Sequence, residues 1–393
     1  MVKILELTNY TAGGCGVGGR VLIEAEQLAK MGHKIEIFST NREKGTNRTC
    51  PAHEIKNKIT IKRFPSVKLG GESYMYWSFE QAARVFGPDI IIAHAYRHIH
   101  TILALRVARS LNCPIILVTH APFDRDNTRT KLQRTIVSLY DKSIGKKIIN
   151  SFSKVMYISK WEIPYLLELG AKNKNLKYSP NGLKEIFFKK TTQKSLPHSI
   201  VYTGRIAPIK NIDLLLIALS KIKSPISFTA FGPVEESYEN HLNNLISKFN
   251  LTNVKIINSV YNPYEQIREL DRHAIFILPS KSEGQPQVLL EAMARGKIVI
   301  ASNNQGNKDI ILHRKNGYLF DSENANALAN MIKLVLNLTK KEKASISSEA
   351  RKTAKNFRWK FLILQLEKTI LNLVYKRNIK RQNNLNSWTE KKK

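Results

Sequence analysis

Glu283 and Glu291 are separated by seven residues in Ser280-Lys281-Ser282-Glu283-Gly284-Gln285-Pro286-Gln287-Val288-Leu289-Leu290-Glu291-Ala292, just after the apolar run Ile275 to Leu278. Pro286 suits the first turn of a helix, where its missing N–H costs nothing, so Glu283 is expected on a strand-to-helix loop and Glu291 on the helix. The free N–H groups of that turn and the helix dipole make an anion site fit for a diphosphate. A carboxylate on either side can accept hydrogen bonds from sugar and ribose hydroxyls. An ordinary helix start with Glu291 on a solvated face has the same spacing, so the neighbouring motifs must decide.

Gly204-Arg205-Ile206-Ala207-Pro208-Ile209-Lys210-Asn211 follows a strand ending at Thr203, and its two cations can clamp a pyrophosphate and stabilise charge on a departing group. Near the start, Thr11-Ala12-Gly13-Gly14-Cys15-Gly16-Val17-Gly18-Gly19-Arg20 lets backbone approach a ligand closely, and Gly14 or Gly16 is the expected phosphate contact. Gly14, Gly16 and Gly19 also satisfy G-x-G-x-x-G, but Ile37-Phe38-Ser39-Thr40 lacks the acidic residue of a dinucleotide site. His94 and His120 each close an apolar strand. Sugar-hydroxyl or leaving-group contacts are expected of them, from His120 above all, with His94 and Tyr96 on the acceptor side. Asp124-Arg125-Asp126 is a DxD that could hold a divalent ion on a sugar diphosphate, but Arg205 and Lys210 can already neutralise one. Neither a metal nor another cofactor is expected.

These residues need a frame. Short apolar runs alternate with helical patterns along nearly the whole chain, which predicts α/β architecture: two doubly wound parallel sheets covered by helices. The expected strands are Lys3 to Thr8, Lys34 to Ser39, Ile59 to Phe64, Asp89 to His94, Pro114 to His120, Lys154 to Ser159 and Leu176 to Ser179. In the second half they are Ser199 to Thr203, Ile226 to Phe231, Val254 to Asn258, Ala274 to Leu278, Lys297 to Ala301 and Tyr318 to Phe320. Residues 1–183 then form a first domain, 184–197 a polar linker, 198–358 a second domain, 359–376 a closing helix and 377–393 a basic, disordered tail. Ligands of such sheets bind at the carboxyl ends of the strands, so the site is expected in the cleft between the two.

Composition narrows the classes. Three cysteines without CxxC spacing argue against a disulfide framework or a zinc site, and no apolar run suffices to span a bilayer. A net charge of +32 from 63 basic and 31 acidic residues implies attraction to a polyanion, unless the lysines merely solvate the surface. Between Arg125 and Lys154, basic residues interleave with Leu132, Ile136, Leu139 and Ile144. That pattern fits a helix or helix pair lying on an anionic membrane, or a core-facing helix with a basic side.

Together these motifs resemble the retaining glycosyltransferase family 4, of the GT-B fold, over about residues 2 to 375. The matched pieces are the glycine loop with Gly32-His33, His120, Tyr157-Ile158-Ser159, Pro180-Asn181-Gly182-Leu183, Gly204-Arg205 with Lys210, Phe231-Gly232-Pro233, Pro279-Ser280 with Glu283 and Glu291, and Gly306 through Gly317. The resemblance implies donor contacts by Gly14 or Gly16, Gly204, Arg205, Lys210, Glu283, Gly284, Gln285, Pro286, Gln287, Val288 and Glu291. His120, Arg205, Lys210 and Glu283 would carry catalysis. Gln285 stands where the family often has Phe, and Asp309 where it often has Glu, so donor choice stays open. It also implies that the helix from Trp359 to Tyr375 packs back on the first domain. The expected activity is hexosyl transfer from a nucleotide sugar, with retention, to a glycolipid or glycan hydroxyl at the cytoplasmic membrane face. A sugar-phosphate synthase and a non-catalytic nucleic-acid-binding relative are the alternatives; nucleic acid is the less expected partner, since no basic face interleaved with aromatics is visible.

Overall fold

The computed structural model describes residues 1–123, 130–191 and 193–390, with side chains to 383. The chain divides into two compact units, Met1–Pro180 with the residues from Lys360 onward, and Asn181–Trp359. Asp124-Arg125-Asp126 lies outside the described residues.

The first unit is built on an eight-stranded sheet. Its spatial order is Leu176–Tyr178, Lys154–Tyr157, Ile115–Val118, Ile90–His94, Lys3–Leu7, Lys34–Thr40, Ile59–Phe64, His53–Lys56. Only the edge strand His53–Lys56 runs antiparallel, against Ile59–Phe64. The strand order reverses between Lys3–Leu7 and Ile90–His94, which opens a crevice at their carboxyl ends. Apolar side chains on both faces of the parallel strands bury Leu5, Leu7, Ile91 and Ala93 against one helical layer and Ile4, Ile90, Ile92 and Ile116 against the other. Each fully buried Leu or Ile contributes about 1.5–3 kcal/mol relative to exposure.

The second unit has six strands, all parallel, in the order Val254–Asn258, Ser227–Gly232, Leu196–Thr203, His273–Leu278, Ile298–Ser302, Tyr318–Phe320. Here the reversal falls between Leu196–Thr203 and His273–Leu278. The loops that follow these two strands carry Arg205 and Lys210, and Glu283, and they are bonded to each other through Lys281 N and Ile209 O at 3.0 Å.

Three strands have no counterpart in the expected set. His53–Lys56 is exposed on both faces, so it has no apolar alternation to find, and Ile55 is 81% exposed. The hairpin Ser66–Lys68 with Met75–Trp77 has strands of three residues, too short for a period, although it buries Trp77 against Phe64 and Phe79. Residues 184–197, read as a linker, belong to the second unit: Glu185–Phe188 is a 3₁₀ turn whose Phe187 is buried in the core, and Leu196 already starts a strand. Residues 377–390 are not a separate tail, because the helix Trp359–Glu390 runs on through them. That helix joins the first unit's core through Ile363, Leu366 and Ile370, and its Glu367 pairs with His33 at 3.0 Å.

Candidate functional site

Lys210 and Glu283 meet. Lys210 Nζ lies 2.7 Å from Glu283 Oε1, with side chains 19% and 9% exposed. Lys210 ends a 3₁₀ turn, Pro208–Lys210, closed by the left-handed Asn211, which caps the start of helix Ile212–Ser220. The helix at the second loop is Gln287–Ala294; Pro286 is its cap rather than its first residue, and no side chain caps it. Its first N–H groups therefore have no acceptor within the helix. Cation, carboxylate and free donors so converge at the sheet's reversal point, an arrangement that can hold an anionic group and orient hydroxyls beside it.

Glycines bring the backbones into contact here. Gly204 sits at φ +130°, where a side chain is strained, and a Cβ there would press on Val288 Cγ1 at 3.2 Å. A Cβ on Gly232, at φ +142°, would come within 2.2 Å of Gly204 O, and one on Gly306 within 2.3 Å of Glu283 O. The loops are thereby seated on neighbouring backbone.

Other expected donor residues have different roles. Arg205 is exposed and pairs with Glu235 at 2.8 Å. An exposed pair of this kind is weak enough to yield to a stronger anion. Glu291 is buried and accepts from Gln266 Nε2; burial pushes its carboxyl up to about 7, opposed by that bond and by Lys184. Gln285 is not free to read a donor. Its Oε1 accepts from Asn181 N at 2.6 Å and its Nε2 donates to Asn181 O, while Gln287 Nε2 donates to Gly182 O at 3.2 Å. These two amides hold Asn181 and Gly182 in place, because they satisfy backbone groups there.

In the first unit, Gly14 and Gly16 are exposed, and a Cβ on either would meet nothing within 4 Å. The glycines this fold requires are Gly13, whose Cβ would lie 2.3 Å from Lys44 O, and Gly18, whose Cβ would lie 2.2 Å from Tyr10 O. The helix Gly16–Lys30 starts from Cys15, whose Sγ accepts from Gly18 N.

The placement of His94 and Tyr96 argues against direct acceptor contact. His94 is fully buried between Glu6 and His120: its Nε2 lies 2.7 Å from Glu6 Oε2 and its Nδ1 2.9 Å from His120 Nε2. Burial drives His94 down to about 3, so it is neutral. Tyr96 is 2% exposed and donates to Asp141, which also pairs with Arg97. His120 is half-buried and sits in the left-handed region, at φ +59°, with Ala121 at φ +52°. Two successive residues held there outside glycine mark a backbone that its surroundings force into place. The strand stops at Val118 for that reason, before His120.

Glu6, Glu24 and Arg20 were not singled out from the sequence. Arg20 Nε donates to Glu24 Oε1 at 3.0 Å and its NH1 to Ser179 O at 2.7 Å. The available signals were an acid inside the apolar strand Lys3–Leu7 and an i,i+4 Arg–Glu pair on the helix face that the core needs. Glu6, Glu24 and His94 are the described cluster close enough to hold a metal ion, but the Arg20 guanidinium paired to Glu24 already places a fixed cation beside it. Gln266, which orients Glu291, was also missed; it lies on helix Pro263–Arg272 and carries no motif.

Comparison with known proteins gives two family matches: "Glycosyltransferase Family 4" over residues 15–185 and "Glycosyl transferases group 1" over residues 184–353. An uncharacterised glycosyltransferase of Methanocaldococcus jannaschii is 24% identical over 355 residues, 89% of this chain and 93% of that protein. The alpha-monoglucosyldiacylglycerol synthase of Streptococcus pneumoniae is 24% identical over 333 residues, covering 78% of this chain and 72% of the synthase. Among solved structures, the sucrose-phosphate synthase of Thermosynechococcus elongatus superposes with a TM-score of 0.78 at 18% identity, covering 95% of this chain and 99% of that one.

Proposed function

We propose, for a chain that belongs to glycosyltransferase family 4 and has the GT-B fold, that it transfers a hexose from a nucleotide sugar to an acceptor hydroxyl with retention of configuration. The observation that carries this reading is Lys210 held 2.7 Å from Glu283 beside an uncapped helix start at the reversal point of a parallel sheet. Lys210 and the free N–H groups take the donor diphosphate, with Arg205 recruited from Glu235. Glu283 accepts from sugar hydroxyls and Glu291 from the ribose.

In the transfer step the bond from the anomeric carbon to the diphosphate oxygen breaks as the acceptor oxygen bonds to that carbon on the same face. The acceptor proton passes to a diphosphate oxygen. Lys210 stabilises the charge that develops on the leaving group, so catalysis rests on positioning and electrostatics, with no metal invoked.

For the acceptor we favour a lipid-linked glycan or glycolipid. Helix Lys131–Tyr140 buries none of its residues, and Leu132, Ile136 and Leu139 form an exposed stripe on it among basic residues. Beside it a cavity of about 470 Å³ is lined by Arg97, Phe123, Arg134, Lys142 and Tyr165 among others. The same cations would suit a small phosphorylated acceptor, so the assay offers both. Release of nucleoside diphosphate is measured with UDP-, GDP- and ADP-sugars, against glycolipid vesicles and sugar phosphates, and the product anomer is read by NMR. Vesicle-dependent release with an α-to-α product is expected; release with neither acceptor class from any donor overturns the reading.

A further inference from the structure

The carboxyl of Glu6 and the imidazoles of His94 and His120 form an unbroken row at the reversal point of the first unit's sheet. The two links are 2.7 Å and 2.9 Å long, Glu6 and His94 are wholly buried, and half-buried His120 ends the row with an Nδ1 bonded to no described residue. Each inner contact needs one proton between its two atoms, so the proton positions along the row are coupled.

We infer that Glu6 is a positioning residue, acting through His94 to set whether His120 offers its outer nitrogen as a hydrogen-bond donor or as an acceptor. With Glu6 ionised, it accepts from His94 Nε2–H; the bare His94 Nδ1 accepts from His120 Nε2–H, and His120 Nδ1 is an acceptor. With Glu6 protonated, its O–H donates to His94 Nε2, the His94 proton sits on Nδ1 and donates to His120 Nε2, and His120 carries its own proton on Nδ1. Both imidazoles stay neutral in either state. One proton on a buried carboxyl inverts the chemistry of a nitrogen two residues away in the row.

The neighbours decide which state prevails. From helix Gly16–Lys30, the Arg20 guanidinium bonds Glu24 and Ser179, and its charge favours the ionised form of Glu6 by less than burial opposes it. Glu6 Oε1 and Glu24 Oε2 are buried and without hydrogen-bond partners, so a second ionised carboxylate there is unfavourable. Burial accordingly raises Glu6 to about 8 and drives His120 and His100 well below the ordinary histidine range. His98 is pushed to about 4 in the same way, and Glu162 is occupied by Thr119 and by the N–H groups of Ala121, Ile158 and Ser159. His98 and His100 are neutral at neutral pH, whereas burial raises the carboxyls of Glu24 and Glu162 as it does that of Glu6, Glu162 to about 7. Glu6 therefore holds its proton below about 8, and His120 faces outward as a donor, able to bond a substrate oxygen.

The consequence for transfer rests on the function proposed above, but the row itself does not. Full-length protein labelled with ¹⁵N-histidine is examined by two-bond ¹H–¹⁵N correlation at about pH 6.5 and about pH 9.5, with the His120 signals assigned from His120→Gln. The expected result is the Nδ1–H tautomer of His120 at the lower pH and the Nε2–H tautomer at the higher, whereas Glu6→Gln shows a single tautomer at both. One unchanged tautomer in the wild-type protein, or a Glu6→Gln protein that switches as the wild type does, overturns the inference. No sugar nucleotide is present, so a tautomer switch in a protein without transferase activity would remove the functional reading and leave the row intact.

Discussion

Lys210 carries the heaviest demand of any single residue, because it is the cation held against Glu283 where the leaving group would develop charge. Lys210→Ala is expected to lower kcat by about 10²–10³-fold with an unchanged thermal unfolding transition, the usual consequence of removing one preorganised electrostatic partner. Arg205→Ala, which removes a cation that must leave its exposed pair with Glu235 to reach the diphosphate, should raise KM more than it lowers kcat; steady-state kinetics on both variants separate the two roles. Glu291 has a pH signature. Its folded-state carboxyl titrates at about 7, so it is ionised above that value and protonated below it. Nucleotide affinity should rise as pH increases through about 7, and Glu291→Gln should flatten that rise in calorimetric titrations. That Lys210 and Glu283 lie on loops after strands was legible in the sequence, because each follows the end of an apolar run, while the bond of Glu291 to Gln266 was not. The bonds of Gln285 were illegible because its partner, the backbone of Asn181, is over a hundred positions away in sequence and backbone groups leave no motif.

At the scale of elements, the parallel strands were legible wherever both faces were buried, since that burial forces a run of apolar residues such as Ile90-Ile91-Ile92-Ala93. Ile59–Phe64 falls at the expected bounds, and so does the half-exposed edge strand Val254–Asn258, whose apolar residues Val254, Ile256 and Ile257 still mark it. The edge strand and the short hairpin stayed hidden, having no buried period to display. Loop seating was illegible as well: nothing in Phe231-Gly232-Pro233 reveals that Gly232 abuts Gly204 O. Gly232→Ala must relieve both a positive φ and that contact, and a loss of about 1–3 kcal/mol in chemical denaturation is expected. The buried Glu6 makes a second stability prediction. Its folded-state value, about 8, lies above the ordinary 4.5, so the folded protein holds a proton that the unfolded chain has released between these values. The group's contribution is present in full below about 4.5 and is lost as pH rises through about 8. Glu6→Gln, which has nothing to ionise, should therefore unfold at a higher temperature than the wild type at alkaline pH, with the gap closing toward acid pH in calorimetric scans.

Over the whole molecule, a net charge of +32 acts at long range, while the exposed Leu132, Ile136 and Leu139 act only on contact. No helix among the described residues is long and apolar enough to cross a membrane. Leu132→Asp with Leu139→Asp should abolish flotation with anionic vesicles, and high salt should weaken flotation of the wild type; neutral vesicles should not carry it. The central claim is that the second unit holds a nucleoside diphosphate at Lys210 and Glu283. Isothermal titration of the full chain with UDP, GDP and ADP tests it most directly, repeated with Lys210→Ala and in the presence of EDTA. One nucleotide is expected to bind the wild type, with an affinity that EDTA leaves unchanged and that Lys210→Ala weakens at least about tenfold. Failure of all three to bind, or equal affinity for the Lys210→Ala protein, would contradict that claim.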